Sequence, residues 1–389
     1  MQPGAHHRYL PAPLARQDRI AHARQRLLTD RVPGPTSLIE PWIARSWERC
    51  LALGHTPSQR VGFDAVSSAD LGRAREDNRV PTLAARATMR NLGRALADTR
   101  YFAILTNRDG VVIDSCGPID RSDRRAELIT RVGVDLSEPS VGTTAIGAAL
   151  TDLQPVWLHR GEHFFVDTSV YSCAGVPLFG HQGHCVGMLD LTGVEVPERP
   201  ELLHLAMQSA RHIENALTVQ RPHTVLLRLT WPGQPIGTET DALIGLDDDG
   251  LVRTCNRAAR DMLPPLQGSA GAMPPLPHAG ELFALPFEML FDACRRAAGP
   301  IEVPLWSGLH VQLEAHRAGI ANARPTHTAG TGSAQADGAP ARGPRRLREI
   351  ETALICQTVD ETGGNVTEAA KRLGVSRATV YRRLGLRGA

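Results

Sequence analysis

A chain of 389 residues allows two to four domains at about 100–200 residues each. Its 42% hydrophobic content is enough to bury cores, but with 4% aromatic residues those cores must be mostly Ala, Val and Leu. A formal net charge of +2 excludes a polycation, so any nucleic-acid surface has to be local. The seven cysteines (Cys50, Cys116, Cys173, Cys185, Cys255, Cys294 and Cys356) are odd in number and widely spaced, which argues against a disulfide framework or a thiolate zinc cage. The first residues lack the apolar run of a signal peptide. Nowhere do about 18 apolar residues follow one another. A soluble, cytoplasmic chain with no membrane contact is expected.

Residues 1–81 form a partly patterned N-terminal helical region. Arg16–Leu28 is compatible with a short helix. Glu40–Leu53 reads as a helix, with Trp42, Ile43, Trp47, Cys50 and Leu51 at helical spacing and Gly54 after its end. A sensor-like α+β domain is expected over residues 82–220. It opens with an amphipathic helix at Thr82–Thr99. Strands Tyr101–Thr106 and Val111–Ser115 follow, joined by the Asn107–Gly110 turn. Val141–Leu150 reads as a helix of small residues. Pro155–His159, Cys173–Phe179 and Cys185–Leu191 read as strands, the last two flanking a turn at Gly180–Gly183. Leu202–Gln220 is a long closing helix. A smaller unit spans 236–318: strands Ala242–Leu246 and Leu251–Cys255 around the acidic turn Asp247–Gly250, helices at Asn256–Leu263 and Glu281–Arg296, and strands Ile301–Trp306 and His310–Ala315. Residues 319–344 have a linker composition. Residues 345–389 are helical.

That last segment carries the strongest functional signal. Arg345–Thr362 has an apolar stripe at helical spacing and stops at Gly363-Gly364. Asn365 and Glu368 form a capping-box pair. Val366–Leu373 is a short helix in which Ala370 permits a close crossing. Gly374 supplies the turn, and Ser376 caps the helix Arg377–Leu384. Two short helices joined by a glycine turn, the second basic on its outer face, suit the major groove of double-stranded DNA. Ser376 and Arg377 stand at the reading end, and Arg377 can pair bidentately with guanine. Tyr381 lies a turn further along. Lys371, Thr379, Arg382 and Arg383 suit phosphates, which fix register rather than sequence. One such helix reads few bases, so a homodimer on an inverted repeat is expected, with Arg345–Thr362 as its surface.

The run Gly-Gly-Asn-Val-Thr-Glu-Ala-Ala-Lys-Arg-Leu-Gly-Val-Ser-Arg-Ala-Thr-Val-Tyr-Arg-Arg-Leu resembles the Fis-type helix-turn-helix that closes many bacterial enhancer-binding regulators. Arg45-Ser46-Trp47-Glu48-Arg49-Cys50 resembles the opening of the acetoin-catabolism regulator group. Val141–Leu150, Gly161-Glu162-His163-Phe164 and Tyr171–Pro177 through Val186–Asp190 resemble that group's GAF sensor domain. Ala242–Leu263 resembles the start of a PAS-like segment. The fold implied is α+β and multidomain: a GAF sensor, a small PAS-like domain and an all-α helix-turn-helix. The function implied is a ligand-responsive transcriptional regulator, with an acetoin-like effector on the resemblance alone. One departure stands out. The group carries a central AAA+ ATPase, whose phosphate loop needs G-x-x-x-x-G-K-[ST]. Lys371 is the only lysine, and it lies in the helix-turn-helix. Control through DNA occupancy or direct contact with RNA polymerase is therefore expected, without ATPase activity. A partner that restrains an ATPase-bearing relative is a further reading.

A GAF fold implies a ligand pocket over its sheet. Trp157, His163, Phe165, Tyr171 and Cys173 are its candidate lining, although an ordinary core would bury the same aromatics. His159, His163, Cys173, His181, His184 and Cys185 fit no common zinc spacing, so no metal or cofactor is assigned. A thiol-dependent reductase built on Cys116, Cys173 or Cys185 would need a depressed thiol pKa. Buried, inert cysteines are the expectation, and no catalytic residue is assigned.

Overall fold

The computed structural model describes residues 15–32, 37–63, 66–267, 276–296 and 299–317. The chain divides into two compact units, Met1–Asn322 and Ala323–Ala389. The second lies wholly outside the described residues, as do the linker and every residue assigned above to DNA.

The N-terminal helices are α1 (Arg16–Arg24), which continues into a π-helical turn at Gln25–Thr29, and α2 (Pro41–Ala52). A helix with no apolar stripe, α3 (Ser68–Asp77), follows; it has no buried residue and starts at Ser67, whose side chain accepts from the Asp70 amide. Apart from that cap, nothing in its sequence marks it as a helix. Next come α4 (Arg79–Ala95), β1 (Tyr101–Asn107), β2 (Val112–Cys116), α5 (Arg124–Ile129), α6 (Glu138–Val141), α7 (Ala145–Asp152), β3 (Val156–His159), β4 (Tyr171–Phe179), β5 (Cys185–Val194) and α8 (Leu202–Val219). The strands form one antiparallel sheet in the order β2-β1-β5-β4-β3.

Both faces of this sheet are covered, which is why β1 is a continuous apolar run rather than an alternating one. Phe102 and Ile104 point to a core shared with α1, α2 and α5–α7. Tyr101, Ala103 and Leu105 point to a second core under α4 and α8. The small residues of α7 have a packing reason. A Cβ on Gly147 would meet the Glu138 amide nitrogen at 2.9 Å, and one on Gly175 of β4 would meet the Ala145 carbonyl oxygen at 2.9 Å. The helix rides almost on the backbone of the sheet.

A second sheet follows: β6 (Val225–Thr230), β7 (Ala242–Leu246), β8 (Val252–Cys255), then α9 (Arg257–Met262), α10 (Ala279–Leu282), α11 (Glu288–Arg296), β9 (Ile301–Pro304) and β10 (His310–Arg317). Its order is β8-β7-β6-β10-β9. Two expectations are corrected. β6 was not anticipated, yet it is the central strand. The single helix expected over Glu281–Arg296 is two, because Phe283 leaves the helix to bridge Leu305 and Pro286 cannot continue it.

The two sheets share a spatial plan. Each has a β-hairpin on one side, a central strand, and a strand pair on the other side. In the first the central strand, β5, comes last in the chain; in the second, β6 comes first. The leading hairpins also share their turn chemistry. Asn107 Oδ1 accepts from the Asp109 and Val111 amides at 3.0 and 2.9 Å, and Asp247 Oδ1 accepts from the Asp249 and Leu251 amides at 3.1 and 2.9 Å. Gly110 and Gly250 take the positive φ that each turn requires, 85° and 79°.

Candidate functional site

Strand β5 runs Met188-Leu189-Asp190-Leu191-Thr192, so a carboxylate and a hydroxyl replace apolar residues on one face of the central strand. That face looks into a cavity of about 30 Å³ beneath α7. Ile104, Leu136 and Ile146 give it apolar walls, and Phe63 closes one side. Its polar groups are Asp190, Thr192, His163, Tyr171, Cys173, Thr144 and Thr168. A space of this size holds about one or two waters.

Asp190 is 1% exposed. Its Oδ2 lies against the Thr192 hydroxyl, and its Oδ1 has no hydrogen-bond partner. Burial pushes this carboxyl up to about 7, against the opposing pull of the Thr192 hydroxyl. His163 is fully buried, and burial lowers its pKa to about 4, so the ring is neutral at ordinary pH. Its Nδ1–H donates to the Arg160 carbonyl at 2.9 Å, which leaves Nε2 as an acceptor 3.6 Å from Cys173 Sγ. Thr192 Oγ1 is 3.4 Å from the same sulfur. Burial, and next the Asp190 charge, hold the Cys173 thiol well above the ordinary value. The site is thus a small buried pocket with neutral donors and acceptors around one carboxyl that can be either.

The backbone at His163 is held from outside by the N-terminal helices. Arg24 donates to the carbonyls of Gly161, His163 and Phe164 at 2.9, 2.6 and 2.9 Å. Its guanidinium lies 5.5 Å from the Trp47 ring centroid, and the Trp47 indole N–H donates to the Glu162 carbonyl at 2.9 Å. Arg16 pairs with the buried Glu162 carboxylate at 2.7 Å. On the same helix as Trp47, Ser46 donates to Glu138 Oε2 at 2.5 Å and meets Thr143 Oγ1 at 2.7 Å, while Arg49 Nε donates to Glu138 Oε1 at 2.6 Å. Arg45–Cys50, Val141–Leu150 and Gly161–Phe164, far apart in sequence, are therefore one packed structure.

Of the five residues anticipated from sequence as pocket lining, His163, Tyr171 and Cys173 lie around the cavity. Trp157 does not: the β3 alternation turns it to the opposite face, where its indole donates to Glu198 Oε1 at 3.1 Å. Phe165 does not either; it packs edge-on against Phe164 and His55, with ring centroids 5.1 and 5.3 Å apart. Asp190 and Thr192 were missed. Their signal was available, a charge inside an apolar strand. His181 and His184 sit at the β4–β5 turn. Among the described residues no group of three or more His, Cys, Asp or Glu is placed to hold a metal ion. No helix there is long and apolar enough to cross a membrane.

Two family models match the chain: the GAF domain over residues 81–217, and the bacterial regulatory protein Fis family over 346–385. The chain therefore joins a sensor-type domain to a Fis-type helix-turn-helix, a DNA-binding module. It is homologous to the acetoin catabolism regulators. It is 30% identical over 297 residues to the acetoin catabolism regulatory protein of Cupriavidus necator, covering 73% of this chain and 40% of that one. It is 27% identical over 179 residues to the acetoin dehydrogenase operon transcriptional activator AcoR of Bacillus subtilis, covering 46% of this chain and 29% of that one. The chain thus spans less than half the length of either relative. Among solved structures, the Escherichia coli DhaR(N)–DhaL complex covers 71% of this chain and 99% of the matched chain, at 17% identity and a TM-score of 0.42.

Proposed function

We propose that this chain is an effector-responsive DNA-binding transcriptional regulator, acting as a homodimer and without ATP hydrolysis of its own. The observation that carries the reading is the pairing, in one chain, of a Fis-type module with a GAF domain whose central strand aims an unpartnered, buried Asp190 oxygen into a cavity. A buried polar atom left open in this way costs about 1–3 kcal/mol, a cost that a bound hydroxyl or carbonyl-bearing ligand would offset. The effector is accordingly a small neutral molecule with at least one hydroxyl. It exceeds the one or two waters the cavity holds as it stands, so its binding has to open the space, and acetoin, named by two relatives, is the first compound to try. His163, Tyr171, Cys173, Asp190 and Thr192 are its proposed contacts. The raised Cys173 thiol argues against nucleophilic chemistry there.

On the DNA side, Arg377 is the leading base reader and Ser376 and Tyr381 flank it. Lys371, Thr379, Arg382 and Arg383 contact phosphates. With no lysine outside Lys371, the chain lacks the phosphate-loop lysine of an ATPase. Occupancy of a promoter, or contact with RNA polymerase, then carries the output. Selection of bound fragments from genomic DNA should enrich an inverted repeat. On that site Arg377→Ala should weaken specific binding by about 1–3 kcal/mol in a gel-shift titration. Unchanged specific affinity would remove Arg377 from this role.

A further inference from the structure

The face of the first sheet opposite the Asp190 cavity carries a second, larger opening. It is a crevice of about 440 Å³ between α8, β4 and the start of α9, within the usual range of about 300–1,000 Å³ for small-molecule sites. Its floor is built rather than incidental. Asn256 Nδ2 donates to Asn215 Oδ1 at 2.8 Å and to the Asp241 carbonyl at 2.8 Å, and Asn215 Nδ2 donates to the Glu239 carbonyl at 2.9 Å. These bonds join helix α8 to the second sheet beneath the crevice.

The charges lining it divide into spent and unspent. Glu239 is occupied by His212 at 3.3 Å and by Asn215, and Asp261 faces Arg257 at 4.0 Å. Arg257 also lies over the Phe179 ring, 5.1 Å from its centroid. Two groups remain. Glu214 is 6% exposed; its Oε1 accepts from the Phe179 amide at 2.8 Å, and its Oε2 has no hydrogen bond among the described residues. Arg211, one turn earlier on α8, makes no hydrogen bond or ion pair among them, and the two do not close on each other. Beside them Pro155, Val176, Pro177 and Met207 offer an apolar wall.

A carboxyl on a side chain 6% exposed with one oxygen free of hydrogen bonds, a cation a turn away that feels its charge without closing on it, and an apolar flank define one kind of ligand. We propose that this crevice binds a zwitterion with an apolar arm, of amino-acid to dipeptide size, its ammonium on Glu214 and its carboxylate on Arg211. The site is separate from the Asp190 cavity and stands whether or not that cavity takes the effector. Its position on the Asn215–Asn256 joint gives a bound molecule contact with β4 and α8 on one side and with Asn256 and α9 on the other.

Calorimetric titration of the full chain with L-leucine and L-leucyl-L-leucine tests this, with N-acetyl-L-leucine and L-leucinamide as probes that each lack one charge. Saturable binding of a zwitterion is expected, weakened at least about tenfold for either blocked probe, and about tenfold again by Glu214→Gln or Arg211→Ala. Arg211 is exposed, so Arg211→Ala keeps the test valid if Glu214→Gln perturbs folding. No saturable binding by either zwitterion overturns the proposal. So does equal binding of leucine and its blocked forms, or an affinity indifferent to Arg211→Ala.

Discussion

Replacing Asp190 by Asn removes the one carboxyl on the central strand while keeping its shape and its contact with Thr192. The folded carboxyl lies at about 7 against an ordinary 3.8, so the native state holds the proton more tightly than the unfolded chain. Stability from this group is therefore full below the ordinary value and is lost as pH rises through about 7. The gap corresponds to ~4 kcal/mol in all, with about 2–3 kcal/mol of it falling between about pH 5 and pH 8. Urea unfolding of wild type and Asp190→Asn at steps across that window gives two stability curves. Glu214, also raised to about 7, and His163, lowered to about 4, titrate in both proteins and cancel in the difference. The variant should gain about 2–3 kcal/mol on the wild type as pH rises. Curves that stay parallel within about 0.5 kcal/mol would refute the account of a buried, ionisable Asp190.

Two further perturbations probe the packing around the cavity. Trp47→Ala removes a side chain 1% exposed together with its bond to the Glu162 carbonyl, and should cost about 3–5 kcal/mol in denaturant unfolding. Gly175→Ala places a methyl 2.9 Å from the Ala145 carbonyl. It should cost about 1–3 kcal/mol and lift α7 from the sheet, read as a lower denaturation midpoint with an unchanged slope.

What the sequence displayed follows from what each element needs. The Asn107 and Asp247 turns are local: one side chain closes each on its own backbone, so four residues suffice to recognise them. Helices α2, α4 and α8 carry apolar stripes because one face of each is buried, and the spacing is visible without partners. By contrast, α3 buries nothing and leaves no periodic trace. Strand β6, Val225–Thr230, is a short apolar run whose role as the centre of a sheet depends on β7 and β10, more than ten and eighty residues away in sequence. The pocket was half legible for the same reason. His163, Tyr171 and Cys173 stand in distinctive motifs, but which face of β3 meets the cavity is a matter of register, and this put Trp157 on the far side. Asp190 was readable in principle, since an unpaired carboxylate rarely enters a covered strand without a task.

The N-terminal helices hold the backbone that lines the cavity. His163 contributes its ring to the pocket and its carbonyl to Arg24. Glu162, next to it, takes Arg16 on its side chain and Trp47 on its carbonyl. Any ligand that displaces the His163 ring must therefore move a segment bonded to α1 and α2. On the other side of the cavity, Thr143 meets Ser46, and Glu138 meets Arg49, at the same two-helix unit. On the proposed reading, occupancy at Asp190 would act first on α1 and α2, not on α8, which lies behind the sheet and packs on its other core. The Arg45–Cys50 motif bonds to Glu162 and to Thr143, the neighbours of His163 and Thr144 in the cavity wall. That gives a physical reason for a helix lying before the matched GAF domain to carry a signature of its own.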